Sequence, residues 1–311
     1  MAATIALLVP CFNEQDTIAG TIAQARNQTR PFDEIVCYDD CSSDDTTNVL
    51  QQLGVKVLRG HTNRGPAHGR NELLQHCSSD FLHFHDADDP FLADNFVETL
   101  LPHADEKKAA FCDWSRIAED GTSKLYAYSK YVATHPPSCL WLDHHLHLNS
   151  VIYPAKWLRD NGVTFDATLA QHSPPLYNED VLFNLMAAAA GLGYTHLPEV
   201  YATHVRNDSS ITSDVTLRKM HIGGLVLVRK ALLHVTGSNL SGRQILSNKL
   251  LYHLRELVIH GEDIPEFSSL LRLFQELPVP IQKRGKIETQ FQKFFGIAAS
   301  LSYLKFRKTD K

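Results

Sequence analysis

Cysteine pairing is the first thing this chain lacks. Its six cysteines (Cys11, Cys37, Cys41, Cys77, Cys112 and Cys139) form no C-x-x-C pair, which argues against a disulfide framework or a zinc site and fits a reducing cytosol. Long apolar runs are missing too. None approaches the ~20 residues needed to span a bilayer, and the first four residues enter a strand without a basic leader. Neither a signal peptide nor an integral anchor is expected, and the chain reads as cytoplasmic. Basic excess is also absent: 30 Lys and Arg against 35 Asp and Glu give a net charge of -5, so no nucleic-acid partner is expected. The turn Pro10-Cys-Phe-Asn-Glu14 holds no glycine, so a glycine-rich phosphate cradle after the first strand is excluded.

What is present is an alternation of strands and helices. The apolar run Thr4–Val9 precedes a helical pattern from Ile18 to about Arg26, and Glu34–Tyr38 precedes a helix to Leu53. Val55–Leu58 then precedes a helix over Pro66–Gln75, followed by Phe81–His85. Such βαβ units predict an α/β fold, a mostly parallel twisted sheet flanked by helices, with its ligand crevice beyond the carboxyl ends of the strands. A hairpin is expected from Ala109 to Tyr128 as an edge extension of the sheet, and a strand pair at Tyr194–Leu197 and Val200–Val205. The 43% hydrophobic content is ample for a core.

Carboxylates collect on that one rim. Asn13 and Glu14 follow the first strand, Asp39 and Asp40 the second, and Asp86, Asp88 and Asp89 the fourth. On an extended chain Asp86 and Asp88 share a face across Ala87, and two hard oxygen ligands suit Mg²⁺ or Mn²⁺. The competing reading is a solvated turn in which Asp88 or Asp89 caps a helix opening at Pro90; Asp89 is assigned to the cap. Ser42, Ser43 and Asp44 are good caps as well. Repulsion among so many acids calls for a cation, which a metal with a nucleotide supplies. Arg70 is placed either on a diphosphate or in an ion pair with the acidic cluster.

Val9-Pro10-Cys-Phe-Asn13-Glu14, Asp39-Asp40-Cys-Ser-Ser-Asp44, Asn63-Arg64-Gly65 with Arg70-Asn71, and Asp86-Ala-Asp88 together resemble the four N-terminal signatures of the family 2 inverting glycosyltransferases. The resemblance implies the GT-A fold. It also implies a nucleoside diphosphate sugar donor, most readily a UDP-sugar, and a saccharide or lipid-linked acceptor. Pro10, Asn13, Glu14, Asp39, Asp40, Arg70 and Asp86 would lie on the nucleotide, with Asp88 holding the metal. Cys41 departs from the pattern, since that family carries glycine there.

Glu179-Asp180 opens an apolar helix over Val181–Ala190 and reads locally as a cap. Beside a D-x-D crevice it resembles the family's catalytic pair, with Asp180 as general base and Glu179 beside it. His204 and Arg206, in a polar loop after apolar strands, resemble the family's metal and diphosphate contacts, or else belong to a solvated loop. Trp141 is a weak candidate for stacking an acceptor sugar. His144, His145 and His147 lack the regular spacing of a metal motif and are set aside.

A catalytic domain over residues 1–213 and a helical C-terminal appendage over 214–311 are expected. The Gln-x-x-Arg-Trp signature of processive members is absent. Residues 283–311 carry eight basic against two acidic side chains. They pack on their own domain or a partner subunit, or else lie peripherally on the inner face of an anionic membrane, the first being preferred. Two rival functions stay open, a sugar-phosphate nucleotidyltransferase and a non-catalytic nucleotide-sugar-binding module.

Overall fold

The computed structural model describes residues 2–91, 93–118, 120–133, 146–169 and 179–205, with Gly224 and Val226 beyond them. The chain divides into two units, Met1–Val215 and Thr216–Lys311. The helices expected after residue 214, the 283–311 segment, Trp141, His144, His145 and Arg206 lie outside the described residues.

The N-terminal half is the expected parallel sheet. β1 (Ile5–Cys11) pairs β2 (Glu34–Asp39) on one side and β4 (Phe81–Phe84) on the other, and β3 (Lys56–Arg59) adds to β2, all parallel. β1 is buried on both faces from Ile5 to Val9, the pattern of a central parallel strand. The pairing of β1 with β4 ends at Leu8 and Phe84, whereas β2 accompanies β1 to Cys11. Pro10, which has no N–H to donate, therefore stands beyond the stretch that β4 pairs. The strand order reverses direction between β1 and β4, and a ligand crevice in an α/β sheet forms at that kind of switch point.

Helices α1 (Ile18–Arg26), α2 (Thr46–Gln52) and α3 (Pro66–His76) connect these strands. Gly65 at φ 84° and Pro66 at the first helical position start α3. Gly69 lets it lie close to the sheet, because a Cβ there would stand 2.9 Å from the Tyr38 ring. β4 and the residue after it bury two histidines. His83 bonds the Val151 carbonyl through Nδ1 at 2.8 Å, and His85 bonds the Asp89 carbonyl through Nε2 at 2.9 Å. Burial pushes them down to about 3 and about 4, so both are neutral core residues.

The second half is mixed. A short α4 (Phe96–Leu100) leads to β5 (Lys108–Ile117), β6 (Ser123–Tyr126), α5 (Ser129–Val132), β7 (Val151–Pro154), α6 (Ala155–Asp160), α7 (Glu179–Ala189) and β8 (Gly193–Val205). β7 runs antiparallel between β4 and β5, β6 pairs β5 as the expected hairpin, and β8 pairs β5 in parallel. Two expectations change here. β5 is an interior strand, paired with β6, β7 and β8, so the hairpin as a whole is not an edge extension. The expected strand pair at 194–205 is one strand: the register jumps from Cys112–Leu197 to Asp113–Val200, so a bulge absorbs Pro198 without ending the ladder.

An aromatic cluster anchors α7 on the sheet. Phe183 stacks on Phe165 at 4.0 Å and meets Phe84 edge-on at 5.9 Å, while the Tyr153 hydroxyl donates to Asn184 Oδ1 at 2.7 Å. Burying one such ring is worth about 1.5–3 kcal/mol, enough to fix where the acidic first turn of α7 stands.

Candidate active site

Two left-handed residues shape the rim after β1 and β2, Asn13 at φ 59° and Cys41 at φ 65°. Asparagine tolerates that region. Cys41, which departs from the family pattern, stands in the left-handed region that favours glycine. The loops are stitched together: Asn13 N donates to Ser42 Oγ at 2.9 Å, Ser43 N to Asn13 Oδ1 at 2.9 Å, and Glu14 N to Thr46 Oγ1 at 2.7 Å. Ser42 and Ser43 thus tie one loop to the other, while Asp44 Oδ1 accepts from Thr46 N at 3.0 Å at the start of α2, whose N-cap position, Asp45, makes no side-chain cap bond.

The Asp39-Asp40 pair faces inward. Asp39 is fully buried, with Ser42 N on one oxygen at 2.9 Å and the Thr47 hydroxyl on the other. Asp40 accepts from the backbone N–H groups of Arg64 (2.9 Å) and Gly65 (2.7 Å) at the entry to α3. Glu14 keeps an uncompensated environment. Burial, and then the charges of Asp88, Asp44 and Asp86, push it up to about 7 against the Thr17 hydroxyl bond.

On the other side of the crevice the Thr21 hydroxyl holds the Ala87 carbonyl at 2.8 Å between Asp86 and the half-buried Asp88. Asp89 corrects an expectation. No helix opens at Pro90, since α4 begins at Phe96, and Asp89 is 1% exposed. Its carboxylate accepts from Asn149 Nδ2 at 2.6 Å and from His204 Nδ1 at 2.9 Å. The run of β4 carries it into the interior, where a capping role has no helix to serve.

Arg70 joins the two sides. Its guanidinium donates to Asp86 Oδ1 at 2.7 Å and to Glu179 Oε1 at 3.0 Å, with the Phe165 ring 5.5 Å from its centre. Among the described residues its buried Nε finds no acceptor. Burial tends to raise Asp86, yet the Arg70 charge holds it below its ordinary value; burial keeps Glu179 above its own despite Arg70. Of the two placements open for Arg70, the structure occupies the ion pair. Asp180, half-buried in the first turn of α7, accepts from Val181 N at 2.8 Å.

Among the described residues one group has the composition and spacing to hold a metal ion: Asp89, His147 and His204, whose ligand atoms lie within 4.8 Å of one another. Two imidazoles and a carboxylate suit borderline divalent ions such as Zn²⁺ or Fe²⁺ more than the harder Mn²⁺ and Mg²⁺, which favour oxygen ligands. Burial works against charge on His204, but the Asp89 bond and then the charges of Asp89, Asp86 and Asp88 hold it above its ordinary value. His147, set aside in the sequence, is brought here by the turn Leu148–Ser150, which it caps through Nδ1. Its ring lies 5.0 Å from that of His204 and 4.8 Å from Trp114. Asn149, absent from the sequence reading, carries no local signal; it matters because its amide reaches both Asp89 and the Asp86 backbone N–H. The exposed Phe12 on the same rim was readable only as part of the signature.

The family model "Glycosyl transferase family 2" matches residues 6–168, just over half of the chain. A putative teichuronic acid biosynthesis glycosyltransferase of Bacillus subtilis is 31% identical over 125 residues, covering 38% of this chain and 49% of that relative. The chain thus spans about half the length of that curated relative. The crystal structure of S. aureus TarS 1-349 in complex with UDP is 20% identical with a TM-score of 0.61, covering 81% of this chain and 72% of that one. A mannosyltransferase from Pyrobaculum calidifontis in complex with GDP-Man and Mn²⁺ is 16% identical with a TM-score of 0.59, covering 98% and 88%. These structural likenesses show the GT-A fold, and the family model shows the rest: the chain belongs to glycosyl transferase family 2.

Proposed function

We propose that this chain is a metal-dependent inverting glycosyltransferase. It moves one sugar from a nucleoside diphosphate sugar, preferentially a UDP-sugar, to a hydroxyl of a saccharide or lipid-linked acceptor. The observation that carries this reading is the convergence at the β1–β4 switch point. Glu14, raised by the charges of Asp88 and Asp86, stands with those two carboxylates and the imidazole of His204 on one side, and Arg70 ties that side to Glu179, the neighbour of Asp180. A carboxyl whose proton affinity is raised by neighbouring carboxylates fits a bound cation.

In this reading the Asn13–Glu14 turn and Asp86 receive the nucleoside. Asp39 and Asp40 act one step removed, by fixing the loop after β2 and the start of α3. Asp88 and His204 would hold Mn²⁺ or Mg²⁺, which supplies positive charge to the leaving diphosphate. Asp180 takes the proton of the acceptor hydroxyl, whose oxygen forms the new bond to the anomeric carbon as the bond to the diphosphate breaks. One base and one displacement give inversion, so no second nucleophile is needed. Glu179, occupied by Arg70, positions the first turn of α7 and takes no proton from substrate.

The test has two parts. Thermal-shift screening of nucleoside diphosphates and their sugars, with and without Mn²⁺, should find a stabilising ligand, because binding to the folded state raises stability by mass action. Asp180→Asn should lower transfer by about 10²–10⁴-fold while leaving nucleotide binding intact. Full turnover by that variant would remove Asp180 from the reaction, and pyrophosphate release from a nucleoside triphosphate and a sugar phosphate would replace transfer by nucleotidyl chemistry.

A further inference from the structure

The residue after the D-x-D run, Asp89, is buried and bonded through both main chain and side chain, and no helix opens beside it among the described residues. Its backbone carbonyl accepts from His85 Nε2 at 2.9 Å, and its N–H donates to the Asp86 carbonyl at 3.3 Å. The His85 ring is itself stacked on Phe91 at 4.0 Å with 1° between planes. The Asp89 main chain therefore has little freedom, and its side chain is fixed by two donors from two other elements. Asn149, on the turn before β7, donates at 2.6 Å; His204, near the end of β8, donates through Nδ1 at 2.9 Å. β8 brings His204 there because it pairs β5 at Arg116.

A carboxylate has only acceptors, so the His204 nitrogen facing it must carry the proton. An imidazole with its proton on Nδ1 has its lone pair on Nε2. A charged acceptor behind a ligating histidine fixes both the tautomer and the ring plane and makes the free nitrogen a better donor to a metal.

We infer that Asp89, steadied by Asn149, is the positioning residue that sets His204 in the Nδ1–H form, leaving Nε2 to ligate the divalent ion of the crevice. This rests on the reading of His204 as a metal ligand given above. Asp89 itself stays outside the coordination shell, and its role passes entirely through His204.

A thermodynamic cycle tests this in the full chain without nucleotide or sugar. Binding of Mn²⁺ is followed by loss of the free-ion EPR signal for wild type, Asp89→Asn, Asp89→Ala, His204→Ala and the double variant Asp89→Ala/His204→Ala. Each Asp89 variant should weaken Mn²⁺ binding by about 10–100-fold. The double variant should bind no more weakly than His204→Ala. Unchanged binding in the Asp89 variants overturns the inference, and so does a further loss in the double variant, which would make Asp89 a ligand in its own right.

The tautomer gives an independent readout that needs no metal. Long-range ¹H–¹⁵N spectra of the metal-free wild type at pH 9 should show His204 protonated at Nδ1; protonation at Nε2 overturns the inference. Failure of the wild type to bind Mn²⁺, with Nδ1 protonated, would instead remove the metal from the proposed function and overturn the ligating half of the inference, leaving Asp89 as the residue that sets the His204 tautomer. The substitution Asp89→Asn keeps the side-chain volume, so a cooperative melt of that variant separates lost positioning from lost folding.

Discussion

Replacing Arg70 by methionine tests whether the two sides of the crevice are held together electrostatically. The substitution keeps an apolar stem against Phe165 and removes the cation between Asp86 and Glu179. Removing one partner of a buried ion pair costs about 3–5 kcal/mol, because the other charge stays buried and unpaired. The side chains of Arg70 and Glu179 are 8% and 11% exposed, but that of Asp86 is 27% exposed. Water can therefore compensate part of the Asp86 side, which puts the loss near the low end, about 3 kcal/mol. At about 2–4 °C per kcal/mol for a domain of this size, the melting temperature should fall by roughly 6–12 °C at pH 7–8.

The pH dependence carries the sharper signature. Asp86 is held below its ordinary value in the folded protein, so its contribution is present above about pH 4 and lost as the pH falls through its folded value. Glu179 is held above its ordinary value, so its ionised form lowers stability as the pH rises from about 4.5. Arg70 favours the ionised form of both. The deficit of Arg70→Met is therefore largest at neutral and alkaline pH and narrows below about pH 5, as the carboxylates take up protons. Thermal melts of both proteins from pH 4.5 to 8 measure this difference, and adding Glu179→Gln to the variant should recover part of it. A deficit that does not change with pH, or no deficit at pH 8, would refute the electrostatic account.

Three further perturbations address the same rim. Glu14 is raised to about 7 in the folded state, so the native protein binds the extra proton between about pH 4.5 and 7 and loses stability as the pH climbs through that window; Glu14→Gln should melt higher than wild type at pH 8 and equally at pH 5. Cys41 occupies the left-handed region at φ 65°, and Cys41→Gly should relieve that strain for a net gain of roughly 0.5–1 kcal/mol in chemical denaturation; a loss would mean that the Sγ contact with the His61 carbonyl outweighs it. Asp88→Ala should abolish the Mn²⁺-dependent part of nucleotide stabilisation in the thermal-shift assay while leaving the metal-independent part; an unchanged metal response would move the ion away from Asp88.

The sequence by itself determined the parallel half of the sheet and the side of it that carries the chemistry. Unbroken apolar runs of strand length, each followed by polar turn residues and a helical period, leave little choice of topology. Carboxylates at the ends of β1, β2 and β4 then had to meet on one rim, and Glu14, Asp86 and Asp88 do so. The second half was less legible because its strands are paired across long intervals. β5 joins β7 and β8, up to 88 residues away for Ser115 and Thr203, so local pattern could not tell an interior strand from an edge.

Tertiary structure alone decided which way each acid faces. Asp39, Asp40 and Asp89 stand in the same polar runs as Asp44 and Asp88, yet all three turn inward onto partners that no spacing rule connects: Thr47, the Arg64 and Gly65 amides, Asn149 and His204. It likewise set Arg70 between Asp86 and Glu179, the latter 109 positions from Arg70 along the chain. A buried charge is stable only where its compensating donors happen to converge, and that convergence belongs to the packing of β4, β7, β8 and α7, not to the order of residues along any one of them.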